Sequence, residues 1–173
     1  MTFPRVRALI FVAVLFVTAG VVVLTAINRD TQTQAPVDPC EPGEIRANID
    51  TPDPGQVTIN VFNGTNRVNL AQQIGGEFTN RGFVVSKTET APEPFAGVAR
   101  ITYGPDAVGA AWLVSAYFLA DEYEGDFQRD RQGAEVDVTL GDQFEQLATS
   151  TEVNQAIAAN GKPKAPAGTC ARQ

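Results

Sequence analysis

The sequence predicts a small α/β domain of the two-layer α+β kind. It would be a mixed β-sheet with two helices packed on one face, strung β-α-β-β-α-β and preceded by a single transmembrane helix. Three observations carry this prediction. Residues 57–62 (VTINVF) alternate apolar and polar with the period of a strand, and residues 98–103 and 135–140 do the same. Leu70, Ala71, Ile74 and Phe78 fall on one stripe of a helix, with Gln72, Gln73, Glu77 and Asn80 opposite. Residues 8–27 (ALIFVAVLFVTAGVVVLTAI) contain no charge.

Taken from the N-terminus, that uncharged run of 20 residues would span roughly 30 Å as a helix, the thickness of a bilayer's hydrocarbon core. Arg5 and Arg7 precede it, while Arg29 and Asp30 follow and cancel. The positive-inside bias therefore keeps residues 1–7 in the cytoplasm and places the rest beyond the plasma membrane. A cleaved signal peptide is the alternative, with a shorter apolar region of about 7–15 residues and a small-x-small site after it. Here the nearest such site, Val17-Thr18-Ala19, lies inside the run. Residues 28–54 read as a stalk, because Pro36, Pro39, Pro42, Pro52 and Pro54 break regular structure.

The folded block is expected over residues 55–147. Its first strand stops at Asn63-Gly64-Thr65, and Asn69 with Gln72 has the spacing of a capping box, so a helix should begin near Leu70. Gly82 after Arg81 fits its C-cap. Phe83–Ser86 reads as a strand, Lys87–Gly97 as a loop with Pro92 and Pro94, and Val98–Tyr103 as a strand ended by Gly104-Pro105. Ala107–Ala120 reads as a second helix, apolar on most sides and deeply packed. Asp121–Asp126 reads as a solvated acidic surface, and Glu135–Leu140 as the last strand. Short helices are expected around Gln143–Leu147 and Val153–Ala159. Gly75-Gly76 inside the first helix would cost about 1 kcal/mol each relative to alanine, which tight helix–sheet packing would justify.

Cys40 precedes the block and Cys170 follows it. In an oxidising compartment such a pair reads as one disulfide tying residues 148–173 back to the start of the domain; two free thiols are the alternative. Net charge is −7, and setting aside the two cytoplasmic arginines leaves −9 outside. Such a surface matches neither nucleic acid nor anionic headgroups. The chain has no histidine, so Ser-His-Asp and Cys-His catalysis are excluded, and two cysteines without histidine make no soft-ligand metal set.

Several pieces together resemble the LytR C-terminal domain family. They are Val57, Ile59, Val61-Phe62-Asn63-Gly64-Thr65, Leu70-Ala71, Arg81-Gly82-Phe83-Val84-Val85, Ala99–Tyr103 and Val138–Asp142. The layout of anchor, single domain and bracketing cysteines is similar to membrane-anchored members in mycobacteria tied to envelope integrity. Family members are exported by actinobacteria and other thick-walled bacteria. The domain often follows a LytR-CpsA-Psr catalytic domain that moves glycopolymers from a lipid carrier to peptidoglycan. This chain has no room for that domain, so the resemblance implies a non-catalytic accessory role needing no cofactor. Its partner would be wall polymer or a glycopolymer ligase. One departure stands out: the family often has Gly where this chain has Asn69, a residue that also tolerates the left-handed region.

The candidate contact surface is the turn itself: Asn63, Gly64, Thr65, Asn66, Arg67, Asn69 and Leu70. A helix N-terminus offers free N–H groups, Gly64 permits close approach, and Asn63, Thr65 and Arg67 could add polar contacts. Against this, the stretch lacks Gly-x-Gly-x-x-Gly and the Lys-Ser/Thr of a phosphate loop, and a strand-to-helix turn demands Asn and Gly for backbone reasons alone. Phe95 and Tyr123 are candidate sugar-stacking rings, while Trp112 and Phe118 belong to the core. The competing functional reading is a small-molecule or lipid carrier with an apolar pocket between the second helix and the sheet.

Overall fold

The structure, a computed structural model, describes Thr18, Ala19 and residues 40–118 and 123–172. The chain divides into two units, Met1–Asp38 and Pro39–Gln173. Of the first, only the helical Thr18 and Ala19 are described, so the expected anchor over residues 8–27 lies outside the described residues. No helix among the described residues is long and apolar enough to cross a membrane.

The second unit runs β1 (Ile45–Ala47), β2 (Thr58–Asn63), α1 (Leu70–Asn80), β3 (Val84–Thr90), β4 (Ala99–Tyr103), α2 (Val108–Ser115), β5 (Tyr123–Phe127), β6 (Val136–Leu140), α3 (Ser150–Asn160) and β7 (Thr169–Ala171). A five-stranded mixed sheet has the order β3-β2-β6-β4-β5, and β1 with β7 forms a separate parallel pair. Only β4 and β6 run antiparallel within the large sheet.

Period-2 patterning decides the layers. Ile59, Val61, Val136, Val138, Leu140, Ala99 and Ile101 turn one face of the sheet into the core. There they meet Leu70, Ala71, Ile74 and Phe78 of α1, the small apolar side chains of α2, and Val153 of α3. The other face is polar. Lys87, Asn60, Asp137, Thr102 and Asp126 form one row across the five strands, and Glu89, Phe62, Thr139, Arg100 and Glu124 the next. On it the Asn60 Nδ2 donates to Glu135 Oε2 at 2.9 Å and to Asp137 Oδ1 at 2.8 Å.

The C-terminus of α1 is a Schellman motif. Gly82 (φ 92°) lets its N–H reach Thr79 O at 3.0 Å, and Phe83 N–H reaches Phe78 O at 3.1 Å. The accompanying apolar contact is edge-to-face, with the Phe78 and Phe83 rings 5.4 Å apart.

Several expectations need correction. The strand after α1 continues through Thr90 instead of looping from Lys87, because parallel pairing with β2 reaches Asn63–Thr90; an edge strand needs no apolar alternation to pair. Residues 123–127 are a strand and not merely a solvated acidic stretch. Each acid finds a partner there: Glu124 with Arg100 at 3.1 Å, and Asp126 with the Thr102 hydroxyl at 3.0 Å. The second helix ends at Ser115, since Ala116, Tyr117 and Phe118 tighten into i−3 bonds and the rings of Tyr117 and Phe118 drop into the core. Trp112 is only half-buried at the core's edge. No helix forms at Gln143–Leu147; Phe144 and Leu147 instead anchor an irregular segment in the core. The stalk ends earlier than residue 54, because Ile45–Ala47 pairs with Thr169–Ala171, a contact too distant in sequence to leave a local pattern. The short helix expected around Val153–Ala159 is present as α3 and begins earlier, at Ser150, with a Thr149/Glu152 capping box. The disulfide forms as expected, joining Cys40 to Cys170 across 130 residues.

Candidate functional site

The turn between β2 and α1 is built by its own side chains. Asn63 Oδ1 accepts from Thr65 N at 3.0 Å and from the Thr65 hydroxyl at 2.8 Å, while Asn63 Nδ2 donates to Arg67 O at 2.6 Å. Thr65 Oγ1 in turn accepts from Arg67 N at 2.9 Å. The Arg67 guanidinium reaches across to Phe144 O at 2.6 Å. Both polar groups of the Gly64 peptide are used as well, its N–H on Leu140 O and its C=O by Phe95 N, each at 2.9 Å.

Gly64 is required by close approach. A Cβ there would sit 2.9 Å from Leu140 O and 3.1 Å from Phe95 N, both backbone atoms that cannot step aside. Asn69 stands in the left-handed region (φ 59°, ψ 17°) with no side-chain cap. The capping box expected from Asn69 and Gln72 therefore does not form. The departure from glycine is accommodated because asparagine tolerates αL at small strain. The first helical bond runs from Gln73 N to Asn69 O at 3.0 Å, which leaves the N–H groups of Leu70, Ala71 and Gln72 ahead of it without helical acceptors.

This wiring sorts the candidate residues. Asn63 and Gly64 are buried and committed to the turn, Leu70 is a core residue at 2% exposure, and Thr65 is half-buried. Asn66, Arg67 and Asn69 face solvent. Sequence reasoning passed over Val68, which at 86% exposure is the most exposed large apolar residue among those described. Its only sequence signal is that it sits between Arg67 and Asn69, off the apolar stripe of α1. A shallow hollow of about 290 Å3 lies beside the tip, walled by Gln72, Glu89 and Thr90.

The other candidates resolve structurally. Phe95 is half-buried, with Arg100 4.4 Å from its ring centroid, so that face is covered and not open to a sugar. Tyr123 is half-buried against the core. The hollow directly between α2 and the sheet holds about 110 Å3, and one of about 500 Å3 opens beside it between the end of α2, Tyr123 and α3; a ligand cavity ordinarily holds about 300–1,000 Å3. The ligand atoms of Cys40, Glu44 and Cys170 lie within 4.8 Å of one another, but both thiols are spent in the disulfide.

A two-layer α+β domain clamped by a terminal disulfide, with a rigid Asn-Gly-Thr turn at the head of its first helix, is the class these features define. The chain belongs to the LytR C-terminal domain family: residues 56–144, just over half its length, match the family described as LytR cell envelope-related transcriptional attenuator. Its fold is similar to the crystal structure of the soluble domain of a conserved hypothetical secreted protein from Mycobacterium marinum. That likeness has a TM-score of 0.53 at 20% identity and covers 69% of this chain and 82% of that one. No curated protein sequence matches the chain.

Proposed function

We propose that this protein is a membrane-anchored, extracytoplasmic accessory domain that supports cell-envelope integrity. In this reading residues 8–27 hold it in the plasma membrane by one pass, with residues 1–7 cytoplasmic. The domain performs no chemistry and uses no cofactor; it contacts wall glycopolymer or a LytR-CpsA-Psr-type ligase through the tip of the β2–α1 turn. The envelope-related family supports the setting. The disulfide supports an oxidising compartment, and the secreted mycobacterial protein of similar fold agrees with it.

One observation carries the contact surface. The side chains of Asn63, Thr65 and Arg67 are spent rigidifying the turn, yet Val68 is presented bare at 86% exposure beside Asn66 and Asn69. An apolar side chain on a pre-ordered polar tip loses little entropy when it is covered. The carrier reading finds less support at the place it names, since the space directly between α2 and the sheet is a third of the smallest ordinary ligand cavity; the roomier hollow of about 500 Å3 lies beside it, between the end of α2 and α3.

The test is capture of envelope material by the oxidised exported segment, residues 30–173, from purified cell wall and from detergent-solubilised envelope proteins. An Asn66→Ala, Val68→Ser variant runs alongside, since neither side chain belongs to the turn's internal hydrogen bonds. Capture by wild type and loss by the folded variant supports the reading. Equal capture by both removes the turn from it.

A further inference from the structure

A second polar concavity lies where the two ends of the domain meet. Arg46 of β1 stands opposite Cys170 of β7, and Arg172 N donates to Ala47 O at 2.8 Å. Beside this pair, the segment at Pro105–Asp106 and the loop 129–132 complete a cleft of about 460 Å3. Four arginines line it: Arg46, Arg129, Arg131 and Arg172.

That concentration runs against the charge of the domain. From Cys40 onward the chain holds 10 basic residues (13 less Arg5, Arg7 and Arg29) and 18 acidic ones (20 less Asp30 and Asp38). Four of those ten therefore share one cleft, which also carries Asp106 and Asp130. Two guanidiniums are committed, Arg131 to Asp137 at 2.8 Å and Arg172 to Asp106. Arg46 and Arg129 are exposed and have no carboxylate partner among the described residues. Room is kept for Arg129 by the turn into β7: a Cβ on Gly168, itself at φ 73°, would lie 2.8 Å from Arg129 Nη1. Four arginines against Asp106 and Asp130 leave the cleft net positive, a balance that a further anion would relieve.

We propose that this cleft is a phosphoryl-anion site, separate from the β2–α1 turn, with Arg46 and Arg129 as its free binding groups. The two come from different walls, β1 and the loop after β5. A planar carboxylate offers its oxygens to one guanidinium fork, whereas a tetrahedral phosphate offers oxygens to both walls at once. The phosphate could belong to a lipid headgroup or be a free or terminal monoester, and the probes distinguish these.

The full oxidised chain, in a zwitterionic detergent, is titrated with inorganic phosphate and separately with glycerophosphoglycerol, the soluble headgroup of an anionic phospholipid. Ionic strength is held constant with chloride, and the arginine Nε–H NMR signals are followed. Saturable shifts of Arg46 and Arg129, with Arg67 and Arg100 unmoved, are expected. Arg46→Gln and Arg129→Gln should each weaken binding about tenfold with an unchanged melting temperature. Tighter binding of the diester assigns the source to a headgroup; tighter binding of phosphate assigns it to a monoester; both uphold the site. Should a Gln variant fold poorly, Arg46→Lys and Arg129→Lys keep the charge but lose the fork, and are expected to bind with intermediate strength. A non-saturating drift shared by all arginines, or variants that bind as wild type does, overturns the proposal.

Discussion

The paired glycines of α1 make opposite predictions although they are neighbours of the same type in the middle of one helix. Gly76 is exposed, and a Cβ built on it meets nothing within 4 Å. Gly76→Ala should therefore recover the helix propensity that glycine forgoes, about 1 kcal/mol. For a domain of this size that raises the melting temperature by about 4 °C. Gly75 faces β3, and its Cβ would come 2.6 Å from Thr88 Cγ2 and 3.4 Å from Val85 Cγ1. Thr88 is β-branched and stiff at χ1, so the methyl cannot swing clear, and overpacking costs about 1–3 kcal/mol. Set against the same propensity gain, Gly75→Ala ends between neutral and about 2 kcal/mol destabilising. Urea unfolding of the Pro39–Gln173 unit measures both. A Thr88→Ser background, which deletes the clashing methyl, should turn Gly75→Ala stabilising by about 1 kcal/mol. Equal stabilisation by both alanines in the wild-type background would refute the packing argument.

Other outcomes follow from the same geometry. Replacing both Cys40 and Cys170 by Ser opens a 130-residue loop and should lower stability by about 3–5 kcal/mol in the chain-entropy account, read as a shift in the urea midpoint. At Asn69 (φ 59°), Ala should destabilise by about 1 kcal/mol and Gly should be neutral or slightly stabilising, checked by thermal unfolding. Tyr103 and Tyr117 are both pushed above the ordinary phenol value by burial, Tyr103 further by Tyr123 and Asp126, while Arg81 pulls Tyr117 partly back. The unfolded chain then releases these protons first, so their stabilising share is complete below about pH 10 and declines as pH rises toward the folded values. A Tyr103→Phe, Tyr117→Phe variant should lose less stability than wild type between neutral pH and pH 11.

The elements written in local patterning were legible. α1 has its stripe, and Gly82 ends it; β2, β4 and β6 alternate because one face is buried against helices. What escaped was decided by distant partners. β3 runs on through Lys87–Thr90 because β2 offers a free edge, and β5 forms from an acidic stretch because Arg100 and Thr102 of β4 receive its carboxylates. β1 and β7 are three residues each and find one another only once the chain ends are brought together. At the site, Asn63-Gly64-Thr65 announced a turn correctly. Nothing local could separate a capping Asn69 from a left-handed one, since asparagine favours both. The wiring of Asn63, Thr65 and Arg67 also spends on the turn's own hydrogen bonds the groups that made it attractive as a contact, and leaves Val68 bare beside them.

The central claim is that the tip of this turn is where the domain meets the envelope. Amide hydrogen exchange across residues 63–72 of the oxidised domain, with and without solubilised wall polymer or a captured ligase, tests it most directly. The account predicts added protection at Asn66 to Gln72, abolished by Val68→Ser while the melting temperature holds. Unchanged exchange there, with protection appearing on the polar sheet face or at the arginine cleft instead, would contradict it.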